Sequence, residues 1–120
     1  MALLANTTAS NNTAVGKNAL IANTTGAENT ALGYVALQDN TTGVNNVALG
    51  RAAIGNNIDG NNNAAVGHNA LRLNTTGDNN VAVGISALYN NTADNNTAVG
   101  GSALVANTSG AANTAVGALA

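Results

Sequence analysis

The chain has 120 residues, a formal net charge of −2, 7% charged residues and no cysteine. This composition excludes a disulfide framework and a thiolate metal site, and it provides no electrostatic field that would attract nucleic acid or a membrane surface. The aliphatic residues carry nearly all of the 45% hydrophobic content, because Tyr34 and Tyr89 are the only aromatic residues. A core built from large side chains is therefore not expected.

One glycine recurs along the chain at a nearly constant interval, always directly after valine or leucine. Successive copies are separated by a 17-residue spacing, except for one 16-residue spacing that places the missing residue near Ala93 and Asp94. A fixed period of this length indicates a repeat architecture in which each unit forms one layer of a stack. Residues 1–120 are therefore predicted to form a single repeat array. The repeat glycines are Gly16, Gly33, Gly50, Gly67, Gly84, Gly100 and Gly117.

Each unit is predicted to contain two short extended segments, one on each side of the repeat glycine. In the first complete unit these are Thr13-Ala14-Val15 and Asn18-Ala19-Leu20. Glycine and the Asn-Thr-Thr-Gly bend interrupt the three-and-four spacing that a helix needs. The predicted fold is an all-β parallel solenoid, or β-roll, of about seven 17-residue coils. Coils spaced by about 4.8 Å would make a rod roughly 30 to 35 Å long.

Columns of alanine lie two residues before the repeat glycine and three residues after it. Strand alternation places Thr13 and Val15 on one face and Ala14 on the other. One buried valine and one buried leucine per coil would return about 3 to 6 kcal/mol, against roughly 25 kcal/mol for ordering a coil. We therefore expect an oligomer, with the invariant alanine face closely approached by another copy. The alternative is that alanine suits a flat, exposed sheet.

Two columns of asparagine are predicted to form structural ladders, in which each side-chain amide bonds to the amides above and below it. Asparagine also tolerates the left-handed backbone conformation that tight bends require. The first column lies four residues before the repeat glycine and consists of Asn12, Asn29, Asn46, Asn63, Asn80, Asn96 and Asn113. The second column lies seven residues after the glycine and consists of Asn23, Asn40, Asn57, Asn74, Asn91 and Asn107.

Several asparagines lie in Asn-x-Ser/Thr sequences, which are acceptors for N-glycosylation in organisms with the required machinery. Asparagines used in an interior ladder could not also carry sugar, so the modification is expected only where the side chain is free. The candidate positions are Asn6, Asn11, Asn23, Asn40, Asn74, Asn90, Asn95 and Asn107.

Catalytic chemistry is not predicted for this chain. His68 is the only histidine, and the carboxylates fall mostly one to a unit, so no nucleophile–base pair or carboxylate dyad can be assigned. The calcium-binding motif G-G-x-G-x-D is absent, and Asp59-Gly60 forms only a single acidic turn. No catalytic residue, metal ligand or cofactor is therefore expected. Neither nucleic-acid binding nor membrane insertion is expected.

The residue that follows the repeat glycine is chemically distinctive in four successive units, where it is Lys17, Tyr34, Arg51 and His68. Stacked at coil spacing on one edge, these side chains could hold an acidic glycan through ion pairing and ring stacking. The alternative is that the column is a solvated edge that tolerates many residue types.

The units NTAVGKNAL, NTALGYVAL, NVALGRAAI and NTAVGGSAL resemble the head repeats of trimeric autotransporter adhesins. The longer phrase ALxxNTTGxxNTAVG is similar to repeat regions of bacterial and phage fibre proteins, often ahead of an endosialidase-type chaperone domain. The resemblance covers nearly the whole chain and implies a left-handed parallel β-roll that forms a homotrimer. The 17-residue unit is longer than the adhesin-head unit, and this sequence contains no stalk, anchor or chaperone segment.

The motif V-G-x-x-A also resembles the hexapeptide of left-handed β-helical acyltransferases. Gln38, Gly55 and Arg72 break the six-residue rhythm that those enzymes need, which disfavours an acyltransferase.

These patterns favour a structural or adhesive module of an extracellular, cell-surface or virion fibre. Its expected partners are further copies of itself, as a homotrimer or a head-to-tail stack, and a cell-surface glycan or host receptor. The alternative is a self-assembling subunit that stacks head to tail into an extracellular filament. A third hypothesis is an ice-binding solenoid that uses the threonine columns, although Ile58 interrupts one of them.

Overall fold

The fold is a parallel β-solenoid, which confirms the predicted fold class. The computed structural model describes all 120 residues, contains no helix and measures 39 × 22 × 17 Å. Seven strands form one parallel sheet, in which spatial order follows chain order. The strands are β1 (Thr13–Val15), β2 (Thr30–Leu32), β3 (Val47–Leu49), β4 (Ala64–Val66), β5 (Val81–Val83), β6 (Thr97–Val99) and β7 (Thr114–Val116).

Equivalent residues of neighbouring coils lie side by side along the whole sheet. Ala14 pairs with Ala31, and Val15 pairs with Leu32. The backbone amide of Gly33 donates to the carbonyl of Val15 at 2.8 Å, and the same bond repeats from coil to coil. Since one coil of chain separates the partners, each position of the repeat becomes a column that runs along the rod.

The alanine columns line the inside of the solenoid, so the prediction that they face another copy is wrong. Ala31 of β2 and Ala36 after it are both fully buried, as is Leu37 next to Ala36. The equivalent residues of the other inner coils form one continuous core with them. The interior is narrow, since the molecule is only 17 Å thick, and a methyl group is the side chain that fits beneath the strand.

The valine column that was expected to be buried lies on the outside of the sheet instead. Val15 is 56% exposed and Val66 is 41% exposed, although Val66 belongs to the central strand. Threonine, valine or alanine accompanies these residues at the first position of each strand. We call this outward surface the strand face. It consists of Thr13, Val15, Thr30, Leu32, Val47, Leu49, Ala64, Val66, Val81, Val83, Thr97, Val99, Thr114 and Val116.

The second segment of each unit is a series of turns and not a strand, so the prediction of two extended segments is also wrong. Asn18 and Leu20 both have left-handed backbone conformations, with φ of 61° and 49°. Even Ile54, which is β-branched, has φ of 46° in the equivalent place. These turns direct the leucine or isoleucine side chain into the core, where it is fully buried in the five units from Leu20 to Leu88. The stacked hydrogen bonds on both sides hold this costly conformation in place.

The 16-residue coil is shortened at its Thr-Thr-Gly bend. In regular coils an asparagine of the first column donates to a glycine carbonyl, as Asn63 does to Gly77, whereas Asn80 donates to Ala93. Ala93 therefore occupies the place of the bend glycine, and the second threonine is the residue that is missing. The shorter bend has a cost, because the Oδ1 atom of Asn74 is buried without a hydrogen-bond partner.

Restoring the missing residue is expected to stabilise the solenoid. Inserting threonine between Thr92 and Ala93, together with Ala93→Gly, would let the amide of Asn91 reach the Oδ1 atom of Asn74. Satisfying this buried acceptor should raise the free energy of unfolding by about 1 to 3 kcal/mol, measured by urea denaturation. The same insertion after Thr75 would lengthen a regular coil and should destabilise the protein. An unchanged stability for the repaired coil would contradict this account of the defect.

Candidate functional site

The second asparagine column forms a buried ladder of amide-to-amide hydrogen bonds. The Nδ2 atom of Asn40 donates to Oδ1 of Asn23 at 2.8 Å and to the carbonyl of Gly43 at 3.1 Å. Both asparagine side chains are fully buried. Each amide thus links two coils and also closes its own bend.

The first asparagine column is bonded differently from the predicted amide-to-amide pattern. The Oδ1 atom of Asn29 accepts from the backbone amide of Asn46 at 2.9 Å. The Nδ2 atom of Asn46 donates to the carbonyl of Gly60 in the following bend at 2.8 Å. Along this column each asparagine side chain therefore bonds to backbone groups. These bonds connect the start of each strand to the bend of the next coil.

The first threonine of each bend also supports the stack in several coils. The hydroxyl of Thr24 donates to the carbonyl of Thr41 at 3.0 Å, and that of Thr41 donates to the carbonyl of Ile58 at 3.1 Å. Because these hydroxyl hydrogens bind the neighbouring coil, they are not free to order external water. The second threonines of the bends, Thr25, Thr42 and Thr76, are exposed and make no such bond, so ice binding stays a prediction.

Because the ladders bury or bond most of the candidate asparagines, few of them are free to carry N-linked sugar. Asn23, Asn40 and Asn74 are fully buried. Asn11 and Asn95 are exposed and occupy left-handed positions of the bends. The remaining candidates are half-buried, and their amide nitrogens donate to neighbouring groups; these are Asn6, Asn90 and Asn107. Glycosylation stays a prediction for the two exposed positions.

The four residues that follow the repeat glycine are exposed on one edge of the strand face, at the C-terminal ends of the strands. We call Lys17, Tyr34, Arg51 and His68 the basic edge. The Arg51 guanidinium lies 5.9 Å from the centroid of the Tyr34 ring, a cation–π contact between adjacent coils. The other positively charged side chain, Arg72, lies away from this edge and contacts Asn56.

An acidic edge lies on the opposite side of the strand face, and it was not predicted from the sequence. Four of the five carboxylates lie in the bends that precede the strands. The Oδ1 atom of Asp94 accepts from the backbone amide of Asp78, which holds one of these bends in place. The signal was present in the sequence, because all four residues fall nine to twelve positions after a repeat glycine. The acidic edge consists of Glu28, Asp59, Asp78 and Asp94.

The strand face between the two edges is the candidate interaction site. It carries no charged residue along all seven strands. Valine or leucine ends every strand, and in the inner coils Leu32 and Val83 are 50% and 38% exposed. A flat aliphatic strip with a basic border and an acidic border can bury apolar surface and also select the orientation of a partner.

The remaining surface offers no concave site. The molecule has no pocket and no group of three side chains placed to hold a metal ion. It also has no helix that is long and apolar enough to cross a membrane. Comparisons with protein-family models, with curated proteins and with solved structures gave no match.

Proposed function

We propose that the chain is a structural module of an extracellular, cell-surface or virion fibre, in which copies associate side by side through the strand face. The observation that carries the proposal is the unbroken outward column of valine and leucine, from Val15 to Val116. Isolated apolar residues on a surface are ordinary, whereas a continuous uncharged strip marks a contact surface. A rod of stacked coils also suits a mechanical role, because it can be lengthened by adding coils.

The size of the strand face supports an interface that includes its two edges. Seven strands at about 4.8 Å, with two outward columns, give a flat area of roughly 30 by 10 Å. A stable interface buries about 800 Å² on each partner, which is more than the aliphatic strip alone provides. The basic edge and the acidic edge would therefore lie within the contact as well.

An adhesive role is the second part of the proposal. If the basic edge stays accessible in the assembled fibre, Lys17, Tyr34 and Arg51 are placed to hold an acidic glycan. Lys17→Ala combined with Arg51→Ala should then weaken binding to a sulfated or sialylated glycan array. Unchanged binding would remove the basic edge as the adhesive site.

A head-to-tail filament is the second candidate function. Strands β1 and β7 each pair with another strand on one side only. Unpaired strand edges are templates for the addition of another chain. Such a filament would grow without limit as concentration rises, whereas side-by-side association through the strand face closes at a fixed number of chains.

Placing a charge on the strand face is expected to separate the chains without unfolding them. Val66 lies at the centre of this face and its side chain points outward, so Val66→Asp should leave the thermal unfolding temperature of the single chain nearly unchanged. The assembly should dissociate, because the interface would bury an unpaired carboxylate at a cost of several kcal/mol. Sedimentation velocity would show the change in mass.

The matched control for this variant is Val105→Asp. Val105 is half-buried and lies outside the strands. The control should keep the mass of the wild-type assembly. If Val66→Asp also keeps that mass, the strand face is not the interface.

A further inference from the structure

We infer that the copies associate in parallel and in register, with the basic edge of one chain against the acidic edge of its neighbour. This inference rests on the proposed association through the strand face, and it adds the orientation and register of the partner. It follows from how charge is distributed around the strand face and from the symmetry that two identical rods can adopt.

Charge is segregated across the strand face. Lys17 and Arg51 lie after the strands, and no carboxylate shares their column. The acidic edge lies before the strands, on the far side of the face. The edge residues lie two or more positions beyond the ends of a three-residue strand, which separates the two edges by more than about 10 Å. Within one chain the edges are therefore too far apart to form direct ion pairs. Asp78 and Asp94 accept hydrogen bonds within the chain, whereas the exposed Glu28 and Asp59 remain available to a neighbour.

Symmetry decides which edges meet. A rotation axis along the rod turns the strand face toward the partner and exchanges left for right, so the basic edge meets the acidic edge. A two-fold axis perpendicular to the rod reverses the rod direction and leaves each edge opposite its own copy. Like charges would then face each other, which opposes antiparallel association. The parallel arrangement satisfies the charges for two chains face to face and for a closed ring of three.

The positions of the charged residues along the rod axis allow ion pairs with a parallel neighbour in register. One coil of the stack rises about 4.8 Å along the axis. Glu28 follows Lys17 by less than one coil, and Asp59 follows Arg51 by a shorter part of a coil. The corresponding differences in height are about 3 Å and about 2 Å, which long side chains span easily. A shift of the partner by several coils would lose these pairings.

Surface ion pairs of this kind contribute little affinity, but they discriminate strongly between orientations. The aliphatic strip drives association and the two edges select its direction. These separate roles of the strip and the edges explain why most of the few charged residues lie beside the strand face. It also gives the basic edge a partner within the assembly, which competes with the glycan contact proposed above.

Zero-length cross-linking tests the inference directly, because Lys17 is the only lysine in the chain. Carbodiimide joins an amine to a carboxylate with which it is in direct contact. We expect an intermolecular amide between Lys17 and Glu28, identified by mass spectrometry in a mixture of ¹⁴N- and ¹⁵N-labelled protein. A cross-link from Lys17 to Asp94 instead, or none between chains in an assembled sample, would overturn the inference.

Charge reversal on the two edges provides an independent test, in which a second pair of substitutions should restore assembly. Lys17→Glu with Arg51→Glu makes both edges acidic and should raise the concentration for half-dissociation about tenfold or more at low salt. Adding Glu28→Lys and Asp59→Lys exchanges the two edges and should restore assembly. Circular dichroism checks that each variant keeps the β-solenoid. Antiparallel association would leave like charges opposed in every variant, so neither the loss nor the rescue would be seen.

The outcomes separate this inference from the proposed function. A wild-type chain that is monomeric at all concentrations contradicts association through the strand face. A wild-type assembly that Val66→Asp dissociates, but that charge reversal does not weaken, keeps the proposed function and contradicts parallel association. Loss of glycan binding without loss of assembly assigns the basic edge to the glycan and also contradicts the inference.

Discussion

Replacing Gly67 with alanine is expected to destabilise the solenoid strongly, as would the same change at the other inner repeat glycines. Gly67 has φ of +134°, outside the region that side-chain-bearing residues adopt readily. A Cβ atom there would lie 2.6 Å from the carbonyl oxygen of Gly84 in the next coil. Backbone strain and overpacking together should cost about 3 to 6 kcal/mol, measured as the free energy of unfolding in urea.

The control for this variant is Gly101→Ala, in the residue that directly follows Gly100. A Cβ atom at Gly101 would meet nothing within 4 Å, and its φ lies outside the left-handed region. This change should be neutral or slightly stabilising, since alanine restricts the unfolded chain. Equal effects at Gly67 and Gly101 would show that the close approach of successive coils at the repeat glycine does not limit stability.

Removing one amide from the second asparagine column is expected to have a comparable effect. The Nδ2 atom of Asn57 donates to Oδ1 of Asn40 at 2.7 Å and to the carbonyl of Gly60 at 2.9 Å, and its Oδ1 accepts from Asn74. Asn57→Ala would remove these three hydrogen bonds, leave the buried Oδ1 atom of Asn40 without a donor and open a small cavity. The expected loss is about 3 to 5 kcal/mol in the free energy of unfolding.

An exposed asparagine of the same coil separates the ladder from simple loss of an amide. Asn62 is exposed and has φ of 56°, so Asn62→Ala should cost only about 1 kcal/mol from the left-handed backbone conformation. Chemical denaturation of both variants gives the comparison. A cost at Asn57 no larger than that at Asn62 would contradict a stabilising ladder.

The period of the repeat was sufficient to predict the solenoid. Columns that recur with a 17-residue period, with bends inside each unit, can be satisfied only if equivalent residues stack. The register of Ala14 against Ala31 follows directly from the period. The period also located the shortened coil near Ala93, and the hydrogen bond from Asn80 to Ala93 confirms that position.

Which face of each strand points inward could not be predicted from alternation alone. Ala14 and Val15 are both apolar, and alternation assigns them to opposite faces without saying which face is inside. Valine is among the residue types most often buried in proteins, which favours placing Val15 inside. The narrow coil, however, has room only for alanine beneath the strand. An oligomer is still expected on energetic grounds, because exposing the valine column leaves still more apolar surface without a partner.

The turns after the repeat glycine could not be predicted from the sequence, for a different reason. Leu37, with φ of 48°, occupies a conformation that leucine rarely adopts, so residue type carries no signal for it. The acidic edge was hidden because Glu28 and Asp78 are far apart in sequence and fall at slightly different places in the unit. Only the position of each acid within the coil brings them to one side of the strand face.

Measuring the mass of the intact protein in solution by light scattering tests the central claim most directly. Association through the strand face predicts a discrete species with a small whole-number multiple of the 11.6 kDa chain mass, constant over a wide range of concentration. Val66→Asp should reduce this species to the single-chain mass while the β-solenoid remains folded. A wild-type chain that stays at the single-chain mass at all concentrations would contradict the account.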